Sequence, residues 1–206
     1  MHWIESAGGP LLLLFEESLD NWGGVIDLIS GPAADIRYSP GGKSTDYDRA
    51  CSVKWYIGLI DIGKEYGVVL GGEPLQTTWL PYQAASGGMV VRWVFGESES
   101  EFLNWIDTIP EAMFRADRTF NVNGPKLLLF DSAVAGRNVK KMPQEYLSIE
   151  LEPGIYEIKT AIYQPDARNS MVVHRFERCH GVLVQRDDTT NKNDDDSSQN
   201  GGETSG

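Results

Sequence analysis

Short runs of β-branched and aromatic residues, separated by glycine doublets and prolines, recur along most of the chain. Runs of this kind predict strands, and the glycines and prolines between them predict turns. The predicted strands are residues 53–62, 66–70, 89–95, 146–151, 155–163 and 171–176, with a further strand near 120–122. The chain is therefore expected to contain antiparallel or mixed β-sheets.

Two of the predicted turns are short enough to close hairpins. One spans residues 63–65 (Gly-Lys-Glu), and the other spans residues 152–154 (Glu-Pro-Gly) inside the segment YLSIELEPGIYEIKTAIY. Brief connections that contain glycine between two strand-like runs are typical of hairpins. The strands that flank each turn are therefore predicted to be neighbours in one sheet.

One helix is clear, over about residues 98–109. Ser98 followed three residues later by Glu101 is the signature of a capping box. Apolar residues then recur at helical spacing until Pro110, which ends the pattern. A shorter helical turn is predicted over residues 16–22. Strands and helix together predict a β-rich α+β fold.

The sequence also contains an internal echo. Residues 9–16 read GPLLLLFE and residues 124–131 read GPKLLLFD, so six of eight positions are identical at an offset of 115. A tandem duplication would explain the echo and would divide the chain into similar halves, about 1–85 and 86–186. Coincidence explains it equally well, because a turn followed by a leucine-rich buried strand is common. Both readings stay open.

Length and charge suggest one folded domain and a tail. A chain of 206 residues is long enough to bury a sizeable core. Its net charge is −12, and residues 187–206 hold six acidic residues and one lysine, a charge of −5, which leaves −7 for residues 1–186. The final segment lacks apolar residues that could offset its ordering entropy, so it is predicted to be a disordered acidic tail.

The acidic balance narrows the choice of partner. Proteins bind nucleic acids largely by placing lysine and arginine on phosphates, so direct binding of DNA or RNA is not expected. A basic protein partner is compatible, because complementary charge speeds encounter. The strongest apolar run near the N-terminus has five residues, too few for a membrane span or a signal peptide. We therefore expect no membrane partner and a cytoplasmic location.

Residues that could support catalysis are few. A zinc site drawn from His174, Cys179 and His180 is disfavoured, because strand alternation sends His174 and Cys179 to opposite faces. The sequence has no HExxH, CxxC, GxSxG or P-loop motif. Cys51 and Cys179 are expected to be buried thiols, since two cysteines do not make a disulfide framework. We expect no enzyme activity, metal or cofactor.

Two features have both a structural and a functional reading. The carboxylates in residues 46–49 (DYDR) could hold a metal or act as acid and base. The favoured alternative is a short helical turn that Thr45 caps and Asp48 supports, which leaves partner binding open.

Trp79 lies between Pro74 and Pro81 with turn residues on both sides. It is expected to be a core residue, or else an exposed anchor in an interface.

Six segments, in order, resemble the immunity protein 21 family, which is found beside bacterial polymorphic toxins. They are WIESAGGPLLLLFEE (3–17), DYDRAC (46–51), LGGEPLQTTWLP (70–81), VRWVF (91–95), GPKLLLFDSA (124–133) and YQPDARNSMVVHRF (163–176). The resemblance covers roughly residues 3–177. An extended loop around residues 30–45 and the acidic tail depart from it.

The resemblance implies a protein that neutralises a cognate toxin, encoded by a neighbouring gene, and it supplies no catalytic residues. From chemistry alone, the candidate interface residues are Asp46, Asp48, Arg49, Trp79 and Arg92. The leading hypothesis is stoichiometric inhibition, in which an acidic face covers a basic site of the toxin, with a nuclease as one option. Two alternatives remain: a metal-dependent hydrolase that uses Asp46, Asp48 and His174, and a scaffold whose acidic tail recruits basic proteins.

Overall fold

The structure is a computed structural model, and it describes residues 1–25 and 45–179. Within these residues the chain forms ten strands, all paired antiparallel, in two five-stranded sheets. The strands are β1 Leu11–Phe15, β2 Ile57–Ile62, β3 Glu65–Leu70, β4 Gln76–Pro81, β5 Gly87–Phe95, β6 Arg115–Val122, β7 Lys126–Asp131, β8 Tyr146–Glu150, β9 Gly154–Tyr163 and β10 Ser170–Arg178. The α-helices are α1 Asp46–Cys51, α2 Glu99–Ile106 and α3 Gly136–Val139, and 3₁₀ turns span Glu16–Asn21, Gln83–Ala85 and Glu111–Met113.

The two sheets pack face to face. The first sheet has the order β2-β3-β1-β7-β8, and the second has the order β4-β5-β10-β9-β6. The largest core cluster draws side chains from both sheets, including Leu13 and Leu129 from the first and Phe120, Tyr156 and Phe176 from the second. The predicted β-rich α+β class is confirmed.

Strand β1 is buried along its whole length. Side chains alternate between the faces of a strand, so Leu11 and Leu13 enter the core between the sheets, while Leu12 and Leu14 enter a second cluster on the outer face of the first sheet. All five residues of β1 are buried. The LLLLF run is therefore apolar throughout because both of its faces are covered, and each fully buried leucine contributes about 1.5–3 kcal/mol.

Helical segments cover the outer faces of both sheets. The first sheet is covered by the 3₁₀ turn after β1, by α1 and by α3, which contribute Leu19, Ala50 and Val139. The second sheet is covered by α2, whose Phe102 stacks on Trp93 of β5 with ring centroids 4.8 Å apart. The described part of the chain thus forms four layers, with the two sheets inside and short helical segments outside.

One of the two predicted hairpins is confirmed. Ile62 of β2 pairs with Glu65 of β3, and Gly63 has a positive φ of 67°, which suits a two-residue hairpin turn. The hairpin predicted at residues 152–154 is wrong. Strand β8 pairs with β7 in the first sheet, whereas β9 pairs with β10 and β6 in the second. A turn signal marks where a strand ends, but tertiary packing decides which sheet the next strand joins.

Other boundaries also differ from the predictions, and β6, predicted near residues 120–122, begins at Arg115. The strand predicted to start at residue 53 starts at Ile57, because α1 ends at Cys51 with Ser52 as its C-cap, and residues 53–56 form a loop. Residues 76–81, which lie outside the predicted strands, form strand β4. Helix α2 ends at Ile106, since the next amides bond three residues back, as in the 3.0 Å bond from Thr108 N to Trp105 O.

The capping of α2 is half of the predicted box. The Ser98 hydroxyl accepts the Glu101 amide at 3.3 Å. The Glu101 carboxylate, however, accepts from Asn169 Nδ2 at 3.4 Å instead of returning to the Ser98 amide. The helix therefore begins where the sequence indicated, and the glutamate contributes a tertiary contact.

The segments of the internal echo, β1 and β7, are adjacent antiparallel strands. Strand β1 is followed by two strands of the first sheet, β2 and β3, of which β3 lies beside it, and β7 is followed by one, β8; a hairpin of the second sheet then follows each, β4–β5 or β9–β10. Duplication stays a prediction, and this repeated order is compatible with it. The predicted division at residues 85/86 falls between the paired strands β4 and β5.

Several sequence-based expectations concern surface chemistry. Cys51 is exposed and Cys179 is partly exposed, both as free thiols, so the prediction that both are buried is wrong. Three parts of the predictions lie outside the described residues: the acidic tail, His180, and residues 30–44 of the predicted extended loop. Among the described helices, none combines the length and apolar character needed to cross a bilayer.

The two-sided burial of β1 makes a prediction about stability. Leu12→Ala and Leu13→Ala should each lower the free energy of unfolding by about 2–5 kcal/mol, because each leaves a cavity on a different face of the same strand. Urea denaturation measures both. The control is Tyr66→Ala on β3, where the side chain is 53% exposed. A cost below about 1 kcal/mol for either leucine would contradict burial on that face.

Candidate functional site

The acidic segment predicted to contact a partner forms the short helix α1. Thr45 and Asp48 make a complete capping box: Asp48 N donates to Thr45 Oγ1 at 3.1 Å, and Thr45 N donates to Asp48 Oδ2 at 2.8 Å. These bonds from Thr45, first from its backbone amide, hold the pKa of Asp48 below its usual value. The structural reading of Asp48 is thus confirmed, and its carboxylate is already engaged.

The other charges of α1 also have partners. Asp46 accepts a bond from the Gly23 amide at 2.8 Å and forms an ion pair with Arg49 at 2.9 Å. Arg49 also donates to the backbone carbonyl of Asp61 at the end of β2. These contacts fasten α1 to the segment that follows β1 and to β2. Contact with a toxin through these residues stays a prediction.

Trp79 lies in the core between the sheets. It points inward from β4, and its ring packs edge-on against Phe176 of β10 with centroids 5.8 Å apart. The indole is partly buried, and Gly88 on β5 approaches it so closely that a Cβ there would lie 2.4 Å from the ring. The core alternative for Trp79 is therefore the one that the geometry favours.

Arg92 is a buried cation on the inner face of β5. Its side chain is 1% exposed, and it donates from Nη1 to Gly71 O and from Nη2 to Glu73 O, both at 2.7 Å. Burial lowers the pKa of Arg92 to about 10. No carboxylate forms an ion pair with it among the described residues. Its evident role is to hold residues 71–73, the loop that leaves β3.

The five candidate residues do not form one patch. Asp46, Asp48 and Arg49 lie outside the first sheet, whereas Trp79 and Arg92 lie on the inner face of the second sheet. Sequence proximity could not reveal this separation, because the two groups belong to different layers. Of these five candidates, only the charged residues on α1 are accessible to solvent with their charged groups.

The trio proposed for a metal-dependent hydrolase is also divided. His174 is fully buried on β10, and its Nδ1 bonds to Thr160 Oγ1 at 2.9 Å. Asp46 and Asp48 lie on α1, beyond the opposite sheet. Within residues 1–25 and 45–179, no group of three His, Cys, Asp or Glu side chains could hold a metal ion. The geometry offers no common point for this chemistry.

Sequence analysis overlooked Trp55 as a surface residue. Its side chain is 71% exposed, although it falls within the predicted strand 53–62. It lies in the loop between α1 and β2. The helix cap at Thr45 could have signalled this, because a six-residue helix from residue 46 leaves residues 53–56 as a connection.

Comparison with known families matches residues 2–169 to the family described as Immunity protein 21. The chain belongs to this family. The resemblance read from the six segments is confirmed over most of its length. No curated protein and no solved structure matches the chain. Membership in the immunity protein 21 family therefore rests on sequence, and the sandwich described above provides its structural context.

In this immunity protein 21 chain, His174 predicts acid sensitivity. Burial, followed by the nearby charge of Arg92, holds the pKa of His174 well below its usual 6.5. The unfolded chain binds a proton at this side chain as the pH falls through 6.5, and the folded chain does not. Stability is therefore full above pH 6.5 and should fall by up to about 1.4 kcal/mol per pH unit below it.

Urea denaturation between pH 7.5 and 5.0 measures this loss, and His174→Gln is the comparison. Glutamine does not titrate, so the stability of this variant should depend less on pH over the same range. Equal pH dependence in the two proteins would show that another group causes the sensitivity.

Proposed function

We propose that this protein neutralises one cognate bacterial toxin by binding it in a stoichiometric complex, without catalysis, in the cytoplasm. The observation that carries the proposal is the family match over residues 2–169. The family's description as an immunity protein supports protection of the cell.

The layout of charged and polar residues supports binding over catalysis. Asp46 and Asp48 are engaged in bonds that hold α1 in place. His174 is buried on the inner face of the second sheet, away from solvent. General acid–base chemistry needs groups within reach of a bound substrate. An arrangement in which the candidate groups serve the fold suits an inhibitor that acts through its surface.

Net charge supports a basic toxin surface as the target. The chain carries −12, of which −7 belongs to residues 1–186. Carboxylates on the inhibitor can occupy sites that bind phosphates in a basic toxin, and opposite charges accelerate encounter. A nuclease is the class of toxin that best fits this sign, because its active site must attract a polyanion.

The first test is a rescue assay with the protein encoded by the neighbouring gene. That protein is expressed from an inducible promoter in a sensitive host, with and without this chain. We expect growth to be restored and a one-to-one complex to be purified. A toxic neighbour that this chain neither rescues nor binds would contradict the pairing. Deletion of residues 187–206 should preserve rescue; loss of rescue would favour the acidic-scaffold alternative.

Charge complementarity predicts a salt dependence. The association rate constant should fall by about tenfold or more between low and physiological ionic strength, while the dissociation rate changes little. Stopped-flow or surface binding kinetics with the purified toxin measure both. An association rate that is insensitive to salt would contradict electrostatic steering and would leave stoichiometric inhibition itself intact.

The predicted contribution of α1 needs a control for the helix itself. Asp46→Lys and Asp48→Lys reverse charge, and both also remove bonds that hold α1. Thr45→Ala removes the cap and leaves the charges, at a cost of about 0.5–2 kcal/mol in stability. If the carboxylates contact the toxin, each reversal should weaken binding well beyond Thr45→Ala. Equal effects would show that α1 acts through its fold.

A further inference from the structure

An apolar groove opens at the end of the sandwich where β3 and β5 finish and β2 and β10 start. Its volume is about 470 Å³, in the range of sites that accept a few side chains. Trp55 and Tyr56 form one wall, Leu75 the other, and Val94 with Val172 the floor. The two walls are formed by two connections at this end of the first sheet. Residues 53–56 lead into β2, and residues 71–75 lead out of β3.

The groove exposes unusually large apolar groups. Trp55 is 71% exposed, Val94 is 40% exposed and Tyr56 is 38% exposed. Tryptophan is highly buried on average in folded proteins, and contiguous exposed apolar surface marks interaction sites. Of the six tryptophans in this chain, all of them within the described residues, Trp55 alone has a largely exposed side chain. The patch is thus a surface on which a partner can bury aromatic area.

The walls of the groove are held by the fold before any partner binds. The Gly71 amide donates to Tyr56 O at 3.1 Å, and Arg92 holds the carbonyls of Gly71 and Glu73. A Cβ at Gly71 would lie 2.2 Å from Trp55 O, so glycine permits the two connections to touch. Binding therefore requires little ordering of these loops, which favours affinity.

The floor of the groove is the last part of the inner face of β5 and β10. On β5 the side chains of Val90 and Arg92 face inward, and Val94 continues that alternation. Val94 lines the groove together with Val172 and is 40% exposed there. The pairing of β5 with β10 shifts beside it, between Met171 and Ser170.

Charged groups at the rim favour a basic occupant. Glu73 lines the groove, and Glu5 lines an adjoining depression that shares Leu75 and Val94 with it. Both carboxylates are exposed, and neither has an ion-pair partner among the described residues. Among the described residues, Lys54 is the one cation that lines these two depressions. An apolar side chain flanked by lysine or arginine would complement this pattern.

Resting on the function proposed above, we propose that this groove is where the cognate toxin docks. It receives an exposed apolar or aromatic side chain of the toxin, and lysine or arginine residues beside that side chain pair with Glu5 and Glu73. Trp55 is the main anchor. Strand β10 runs from Ser170 at this end to Arg178 at the other, so the last described residues lie away from the groove.

The decisive experiment measures the affinity of the full-length chain and its variants for the toxin encoded by the neighbouring gene. Trp55→Ala should weaken binding by about 30-fold or more, as expected for an interface anchor. Tyr66→Ala is the matched control, because Tyr66 is an exposed aromatic residue, 53% accessible, at the opposite end of β3. It should bind like the wild type. Thermal unfolding verifies that both variants fold.

Charge variants test the chemistry of the occupant. Glu73→Lys should slow association, and Lys54→Glu should accelerate it, because the first removes and the second adds negative potential at the rim. The opposite signs would overturn a basic occupant. A spectroscopic test does not depend on affinity. The emission of Trp55 is the difference between the tryptophan fluorescence of the wild type and that of Trp55→Phe. In the complex, this emission should shift to shorter wavelength and resist quenching by acrylamide.

Each outcome separates this inference from the proposed function. If the wild type neutralises the toxin and Trp55→Ala binds it equally well, the groove is not the docking site and the immunity function stands. If the wild type neither binds nor neutralises the toxin, the proposed function fails and the inference fails with it. If Trp55→Ala changes self-association in size-exclusion chromatography but not toxin binding, the groove pairs two copies and the inference is overturned.

Discussion

Burial of β1 on both faces is the constraint on which the rest of the structure depends. This strand joins the hairpin β2–β3 to β7 and β8, so the first sheet is continuous only through it. Its odd-numbered residues hold the two sheets together, and its even-numbered residues hold the helical segments outside. A single apolar run thus determines both interfaces of the first sheet, and the position of α1 follows from it.

The core between the sheets also contains polar groups, and these connect the fold to the surface. Arg92 and His174 lie on the inner face of adjacent strands, β5 and β10, and each is at most 1% exposed. Arg92 reaches the loop after β3 and anchors it through two carbonyls. Burying an unpaired cation is costly, so its bonds to that loop are the compensation that the structure provides. The rigidity of the groove wall originates in this core contact.

A toxin inhibitor needs a stable, pre-shaped surface more than it needs reactive groups. In this chain the charged residues of α1 are used in capping and ion pairing, whereas Trp55 and Tyr56 are exposed together at one end of the sandwich. Affinity between proteins is concentrated in a few desolvated anchors, while long-range charge mainly sets the encounter rate. The acidic balance and the aromatic groove therefore have complementary roles in the proposed complex.

The sequence alone determined the local elements: the capped helices at Thr45 and Ser98, the turn at Gly63, the class of fold and, through six ordered segments, the family. These depend on contacts between residues close together in the chain. Tertiary structure decided that residues 152–154 connect strands of two different sheets, that Trp79 is internal and that Trp55 is exposed. Those outcomes depend on which faces meet across the sandwich, and alternation along a strand shows that a face is apolar without showing what covers it.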